Sequence, residues 1–293
     1  MVSNGTIRVF SGATAIVTGG ASGIGRALAE ELAKRGCEVV LADRQVEVAE
    51  EVASGIRSLT GGKATAVKLD VTDFPAVQQL ARDTVERTGR LDYMFNNAGI
   101  AIVGNVHHYG IQEWNQIMDV NLHGVVNGVQ AAYGFMMNQG FGHIVNTASI
   151  AGLMPSPGAV AYSMTKHAVV GLSKSLRAEA SLFGIRVSAL CPGVIRTSIL
   201  EGGGKYGKML VDIPQEKLHQ MWERLRPMSP SVFAEKVIDS VARNKPIIIV
   251  PSWWKVYWWT NRFFPSLGIA LAQRRFQKIT EELSKVLGPA QEA

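Results

Sequence analysis

Apolar residues fall along the chain in two alternating spacings. Short apolar runs stand at residues 13–18 (ATAIVT), 38–42 (EVVLA), 64–71, 91–95, 143–147, 185–190 and 246–250 (PIIIV). Between them, at 26–36, 46–59, 77–87, 112–138, 162–183 and 231–243, apolar residues recur every three or four positions. The runs predict buried strands and the spaced stretches predict amphipathic helices. Gly36 reads as the C-cap of the first helix. Strands alternating with helices predict an α/β fold: one doubly wound, Rossmann-like parallel sheet with helices on both faces. No internal repeat appears, and only 202–207 (GGGKYG) reads as a flexible connection.

Beyond residue 250 the pattern changes. Ser252 is placed to cap a helix that carries Trp253, Trp254, Tyr257 and Trp258 on one side and Lys255, Trp259 and Arg262 toward another. A second helix is predicted from about Ser266, with Phe276, Ile279 and Leu283 at helical spacing, ending at Gly288-Pro289. The expected organisation is a nucleotide-binding and catalytic domain over 1–250 and a helical extension over 251–293. Three readings of the extension stay open: it roofs a pocket, it buries against the body or another subunit, or it lies in a membrane interface.

With 293 residues, 47% hydrophobic and 18% charged, the composition excludes a disordered chain. Cys37 and Cys191 each lie within apolar stretches and read as reduced core residues, which excludes a disulfide scaffold. The first residues contain no long apolar stretch of secretory type, and no uninterrupted apolar span of bilayer length appears. The expected location is cytoplasmic, with at most peripheral membrane contact. Charge is uneven: residues 1–200 hold 16 basic and 15 acidic side chains, and 201–293 hold 14 and 9, so +1 and +5 make the net +6. No cluster is dense enough to track nucleic-acid phosphates, so nucleic acid is not an expected partner. An anionic membrane surface suits the basic, Trp-rich tail better.

The first strand runs into Thr18-Gly19-Gly20-Ala21-Ser22-Gly23-Ile24-Gly25, and a helix follows. Glycines in that context let the backbone turn sharply and approach a pyrophosphate at the helix N-terminus. Asp43 ends the next strand, where a carboxylate accepts ribose hydroxyls and repels a 2′-phosphate. That predicts NAD. The adjacent Arg44 keeps NADP as the alternative, since a guanidinium binds phosphate well. Tyr162 and Lys166 stand four residues apart on one helix face, and an ammonium one turn away, together with the nicotinamide's positive charge, is expected to lower the phenol pKa. Ser149 follows a strand end, where open α/β sheets place their active groups, and Asn121 sits within a helical pattern, where Asn is mildly unfavourable. His107-His108 has no Cys or carboxylate at ligand spacing, so no metal is expected.

Taken in order, TGGASGIG, Asp70-Val71, Asn96-Asn97-Ala98-Gly99, Asn121, Ser149, Tyr162-Ser163-Met164-Thr165-Lys166 and Pro192-Gly193 with Thr197 resemble the short-chain dehydrogenase/reductase family over about residues 10–250. The glycine spacing G-x-x-x-G-x-G is that family's variant. The resemblance implies an NAD(P)-dependent oxidoreductase, a homodimer or homotetramer. It implies cofactor contact at Gly19, Ser22, Gly23, Ile24, Gly25, Asp43, Arg44, Asp70, Val71, Asn97, Ala98, Gly99, Tyr162 and Lys166. The segment Pro192, Gly193, Val194, Ile195 and Thr197 is implied to grip the nicotinamide carboxamide. Asn121, Ser149, Tyr162 and Lys166 form the implied catalytic set: Tyr162 moves the proton, Ser149 holds the substrate oxygen, Lys166 stabilises the Tyr162 phenolate and holds the nicotinamide ribose, and Asn121 kinks its helix and holds a water that links Lys166 to solvent.

The family's substrate loops read here as Ile150 to Pro155, including Leu153 and Met154, then Ile100 to Val103, and Ile199-Leu200. They are apolar and carry no Lys or Arg, so the expected substrate is an apolar secondary alcohol or ketone: steroid, lipid-like or aromatic. Ser149, Leu153, Met154 and Tyr162 are the expected substrate contacts. An NADPH-dependent carbonyl reductase is the rival enzyme. A catalytically silent nucleotide sensor or scaffold is the rival outside enzymes, and it has no need of Tyr162 or Lys166. Every residue in these sets precedes residue 251, so the chemistry is expected not to need the tail.

Overall fold

The structure, a computed structural model, describes residues 6–201 and 206–287. In chain order the elements are β1 (Thr14–Thr18), α1 (Gly23–Lys34), β2 (Glu38–Asp43), α2 (Val46–Thr60), β3 (Ala64–Lys68), α3 (Phe74–Thr88) and β4 (Tyr93–Asn96). There follow β5 (Ala101–Val103), α4 (Ile111–Met118), a π-helical turn (Asp119–His123), α5 (Gly124–Gln139), β6 (Gly142–Thr147), α6 (Val160–Ala180), β7 (Ile185–Pro192) and β8 (Gly207–Met209). The last are α7 (Gln215–Glu223), α8 (Pro230–Ala242), β9 (Ile247–Val250), α9 (Trp254–Phe263) and α10 (Pro265–Leu287).

Seven strands pair in parallel in the order β3-β2-β1-β4-β6-β7-β9. The order reverses between β1 and β4, where Val17 pairs Leu41 on one side and Phe95 on the other. A cleft opens at such a reversal, outside the carboxyl ends of the strands. Helices α1, α2 and α8 bury Leu28, Leu32, Ile56, Phe233 and Val237 on one face. On the other face, α3, α5 and α6 bury Leu80, Val125, Met136 and Val169. Strands enclosed on both sides explain the continuous apolar runs. Cys37 and Cys191 are buried free thiols, and burial pushes each thiol up to about 12.

Several elements differ from the sequence expectation. The helix expected over 112–138 is broken by the π turn, because the Asn121 side chain bonds Ile100 instead of facing solvent. Helix α3 starts before residue 77: Asp73 accepts the Ala76 amide at 3.1 Å and Pro75 occupies the first turn. The short pair β5–β8 and helix α7 were not foreseen. Ser252 is not the cap of the aromatic helix. Trp253 holds that position, and Ser252 only accepts the Lys255 amide through its carbonyl at 3.0 Å. The connection expected at 202–207 and the stop at Gly288-Pro289 lie largely or wholly outside the described residues; Gly207, within them, opens β8.

The extension crosses the boundary expected at residue 250. Trp254 is buried in the core, and its indole lies so close to Gly193 that a Cβ there would run into the ring. Asn261 donates its side-chain amide to the Leu153 carbonyl at 3.2 Å, which ties α9 to the loop after β6.

Candidate active site

A cavity of about 1340 Å³ occupies the carboxyl ends of the strands beneath α9 and α10. The part of it beside β1 and α1 is built on tight backbone. Gly19 has φ +68°, and a Cβ there would crowd the Ala98 backbone at 3.0 Å; a side chain on Gly25 would strike the Gly19 carbonyl. Glycine is therefore what lets β1 turn into α1 beside β4. Ser22 caps α1 without a side-chain hydrogen bond, and the first turn contains no acidic residue. The positive end of the helix thus meets the cleft with no acidic residue in its own first turn.

Thr18 holds this turn against the next strand. Its hydroxyl oxygen accepts the Asn97 and Ala98 amides at 2.9 and 3.0 Å, while the Asn97 side chain donates to the Thr18 carbonyl at 3.0 Å. Asp43 at the end of β2 accepts the Ala21 amide at 3.1 Å and the Gln45 amide at 3.0 Å. A carboxylate has about four acceptor positions, so Asp43 keeps lone pairs for a diol. Arg44 lies 3.9 Å from Asp70 across the same opening. Burial raises the Asp70 carboxyl, but hydrogen bonds from Thr72 and the Arg44 charge outweigh it and hold the group below its usual range.

The chemical half joins three elements. Ser149 follows β6, is buried, and accepts the Ala151 amide at 3.1 Å. Tyr162 and Lys166 come from one face of α6. The Lys166 ammonium donates to the Thr147 carbonyl at 3.0 Å and lies 5.5 Å from the Tyr162 ring centre. Burial lowers Lys166 to about 8. Burial also raises the Tyr162 phenol, and the hydrogen bond with Ser149 pulls the other way. This desolvation opposes the lowering expected from Lys166 and a bound nicotinamide's positive charge. Asn121 sits behind the cavity wall, buried, with its side chain paired to both main-chain groups of Ile100 at 2.8 and 2.9 Å. It fixes the turn at Gly99, where Asn121 Oδ1 and Lys166 Nζ converge.

The structure brings most predicted positions to one cavity. Gly19, Ser22, Gly23, Ile24, Gly25, Asp43, Arg44, Asp70, Val71, Asn97, Ala98 and Gly99 line it. So do Ser149, Met154, Tyr162, Lys166, Pro192, Gly193, Val194, Ile195 and Thr197. Leu153 is a correction: its side chain packs against the core rather than lining the cavity. The cavity also carries charge that its apolar loops do not show. The loops expected to form the pocket are apolar, but Lys217, Arg224, Arg275 and Lys278 also line it, from α7, the turn after it, and α10. Glu282 pairs with Arg224 at 3.1 Å and Lys217 at 3.8 Å. Sequence reasoning also missed Trp222 and His108 in the wall, each with a buried ring nitrogen that has no protein partner. Neither lies in a recognisable motif, and only folding carries α7 to the cleft. Among the described residues, no cluster of three His, Cys, Asp or Glu side chains is placed to hold a metal.

A doubly wound sheet with a glycine turn at β1, an acidic residue ending β2, and a Ser–Tyr–Lys group beyond β6 defines a nicotinamide-nucleotide oxidoreductase. The short chain dehydrogenase profile matches residues 13–204, and the chain belongs to that family. It is 36% identical over 213 residues to the oxidoreductase UcpA of Salmonella typhimurium, covering 72% of this chain and 80% of that one. It is 35% identical over 193 residues to the meso-2,3-butanediol dehydrogenase of Serratia marcescens, covering 66% and 75%. Among solved structures, a short chain dehydrogenase/reductase from Burkholderia phymatum in complex with NAD superposes with TM-score 0.78 at 28% identity, covering 89% of this chain and 96% of that one. The protein is an NAD(P)-dependent oxidoreductase of alcohols and ketones.

Proposed function

We propose that the protein interconverts an apolar secondary alcohol and its ketone, with Tyr162 as the proton carrier and NAD as the preferred nucleotide. The observation that carries this is the meeting of Ser149, Tyr162 and Lys166 in a cavity whose inner wall is apolar: Ile100, Val103, Met154, Met221, Trp222 and Leu225. The nucleotide fits the residues present. The glycine turn and the α1 N-terminus would hold its pyrophosphate, Asp43 its adenosine ribose, and the stretch from Pro192 to Thr197 its carboxamide; all of these line the cavity. When bound, its nicotinamide gives or takes the hydride.

The rest is work for this chain. In reduction, the neutral Tyr162 phenol donates its proton to the substrate oxygen while the Ser149 hydroxyl holds that oxygen in place. In oxidation the phenolate removes the alcohol proton. Lys166 favours the phenolate while it is charged, below about 8, and orders the nucleotide ribose through its remaining donors. Because burial raises the phenol, reduction is expected to hold through neutral pH, and oxidation to climb as pH rises. Asp43 supports NAD because its carboxylate repels a 2′-phosphate, and Arg44 is already drawn to Asp70.

A coupled absorbance screen of hydrophobic and small polar alcohols and ketones, with both nucleotides and across pH, tests the reading. Hydrophobic secondary alcohols and NAD should give the higher kcat/KM. Preference for small polar polyols would overturn the substrate class, and tighter NADP binding would overturn the cofactor choice.

A further inference from the structure

Helices α9 and α10 form a hairpin with two unlike sides. The inner side, with Trp254, Asn261, Phe276 and Ile279, roofs the cavity. The outer side carries Val256, Trp259, Phe263, Phe264 and Leu267, which are 67, 44, 66, 64 and 49% exposed. Val256, Trp259 and Phe263 follow one another at i, i+3 and i+7, and the Trp259 and Phe263 rings stack at 5.3 Å. So large a contiguous apolar face marks a contact surface.

Charge identifies the kind of partner. Residues 240–280 contain seven Lys or Arg and no Asp or Glu. Lys255, Arg262 and Arg274 are exposed on the two helices that carry the aromatic face. A second copy is a poor fit, because a two-fold contact through the outer face would bring Lys255, Arg262 and Arg274 together, while the acids of the described hairpin, Glu281 and Glu282, stand in the last turns of α10. Tryptophan and phenylalanine beside lysine and arginine suit the boundary of an anionic bilayer, where rings enter the headgroup layer and cations meet lipid phosphates. Among the described residues no helix is long and apolar enough to cross a membrane, so the contact lies along the surface.

We infer that the outer face of the α9–α10 hairpin docks the protein on an anionic lipid surface with the cavity mouth beside the bilayer. Tyr257 and Leu271 join the two sides: each lines the cavity and is about half exposed, at 48 and 49%. An apolar substrate can then pass from lipid to the cleft without crossing water, a consequence that rests on the apolar-substrate reading.

Vesicle flotation tests the docking independently of any turnover. The full chain should float with phosphatidylglycerol–phosphatidylcholine vesicles, stay behind with phosphatidylcholine alone, and be released by salt. Changing Lys255→Ser with Arg262→Ser should weaken the partition by roughly tenfold or more. Changing Trp259→Ser with Phe263→Ser should abolish flotation, while circular dichroism, NAD binding and turnover of a small water-soluble alcohol stay as in the parent. Failure of the intact chain to float, or equal flotation on neutral vesicles at any salt, overturns the inference. So does an oligomer in solution that falls apart in the Trp259/Phe263 variant, since the face would then be a contact between copies.

Discussion

Tyr162 lies at the centre of the proposed chemistry, and most of the expected nucleotide contacts lie elsewhere in the cleft. Tyr162→Phe should lower turnover by at least about a hundredfold, the usual scale of a lost proton carrier, while calorimetry finds nucleotide binding unchanged. Appreciable turnover in that variant would move the proton elsewhere. Asp43 offers a second test. Asp43→Ala should weaken NAD by about tenfold or more, from lost charge-assisted hydrogen bonds, and NADP much less. Because Asp43 also accepts the Ala21 amide, the comparison must be a ratio of the two nucleotides in one variant, which cancels any loosening of the turn. Residues such as Tyr162, Lys166 and Asp43 were legible because their spacing follows from local structure: one helix face, or one strand end. Trp222 and His108 were not, since nothing within several residues of either shows that it faces the cleft.

Among the elements, strands were read best and breaks in helices worst. Most main-sheet strands show as short, largely apolar runs because both faces of the sheet are covered, though β6 and β7 interrupt theirs with His143, Asn146, Arg186 and Ser188; β3, half exposed, ends at Lys68, short of the expected residue 71. The π turn at Asp119–His123 depends on a bond from Asn121 to Ile100, twenty-one residues away, which periodicity cannot reveal. Nor can it reveal β5–β8, three residues each, paired across more than a hundred positions. Strand β6 carries a polar exception. His143 is fully buried, its Nε2 is 2.8 Å from the Ser188 hydroxyl on β7, and burial lowers its pKa to about 3. The unfolded chain takes up a proton near 6.5 and the folded one does not. Stability from this site is therefore complete above about 6.5 and is lost as pH falls toward 3, by at most about 1.4 kcal/mol per pH unit. Thermal melts at pH 7 and pH 5 should show a larger fall for the parent than for His143→Gln. Equal falls would mean that other groups govern acid sensitivity.

At the scale of the whole molecule, the question is where the catalytic body ends. The sequence separates it from the tail at residue 250, because every motif residue precedes that point. Packing does not respect the boundary: Trp254 fills the core against Gly193, within the stretch proposed to hold the nicotinamide. Two truncations separate the roles. Ending the chain at residue 250 removes Trp254, and losing a buried aromatic costs about 3–5 kcal/mol, so the melting temperature and nucleotide affinity should both fall. Ending it after residue 264 keeps α9 and Trp254 but removes α10 with Phe276 and Ile279 from the roof. The pairs from Glu282 to Arg224 and Lys217 go too, but they are partly exposed and contribute little. That shorter deletion should leave NAD binding and small-alcohol turnover near the parent values while raising KM for bulky apolar substrates. If both truncations bind NAD equally well, Trp254 does not support the nucleotide site. If the second leaves KM for bulky substrates unchanged, α10 is not the pocket's roof in solution.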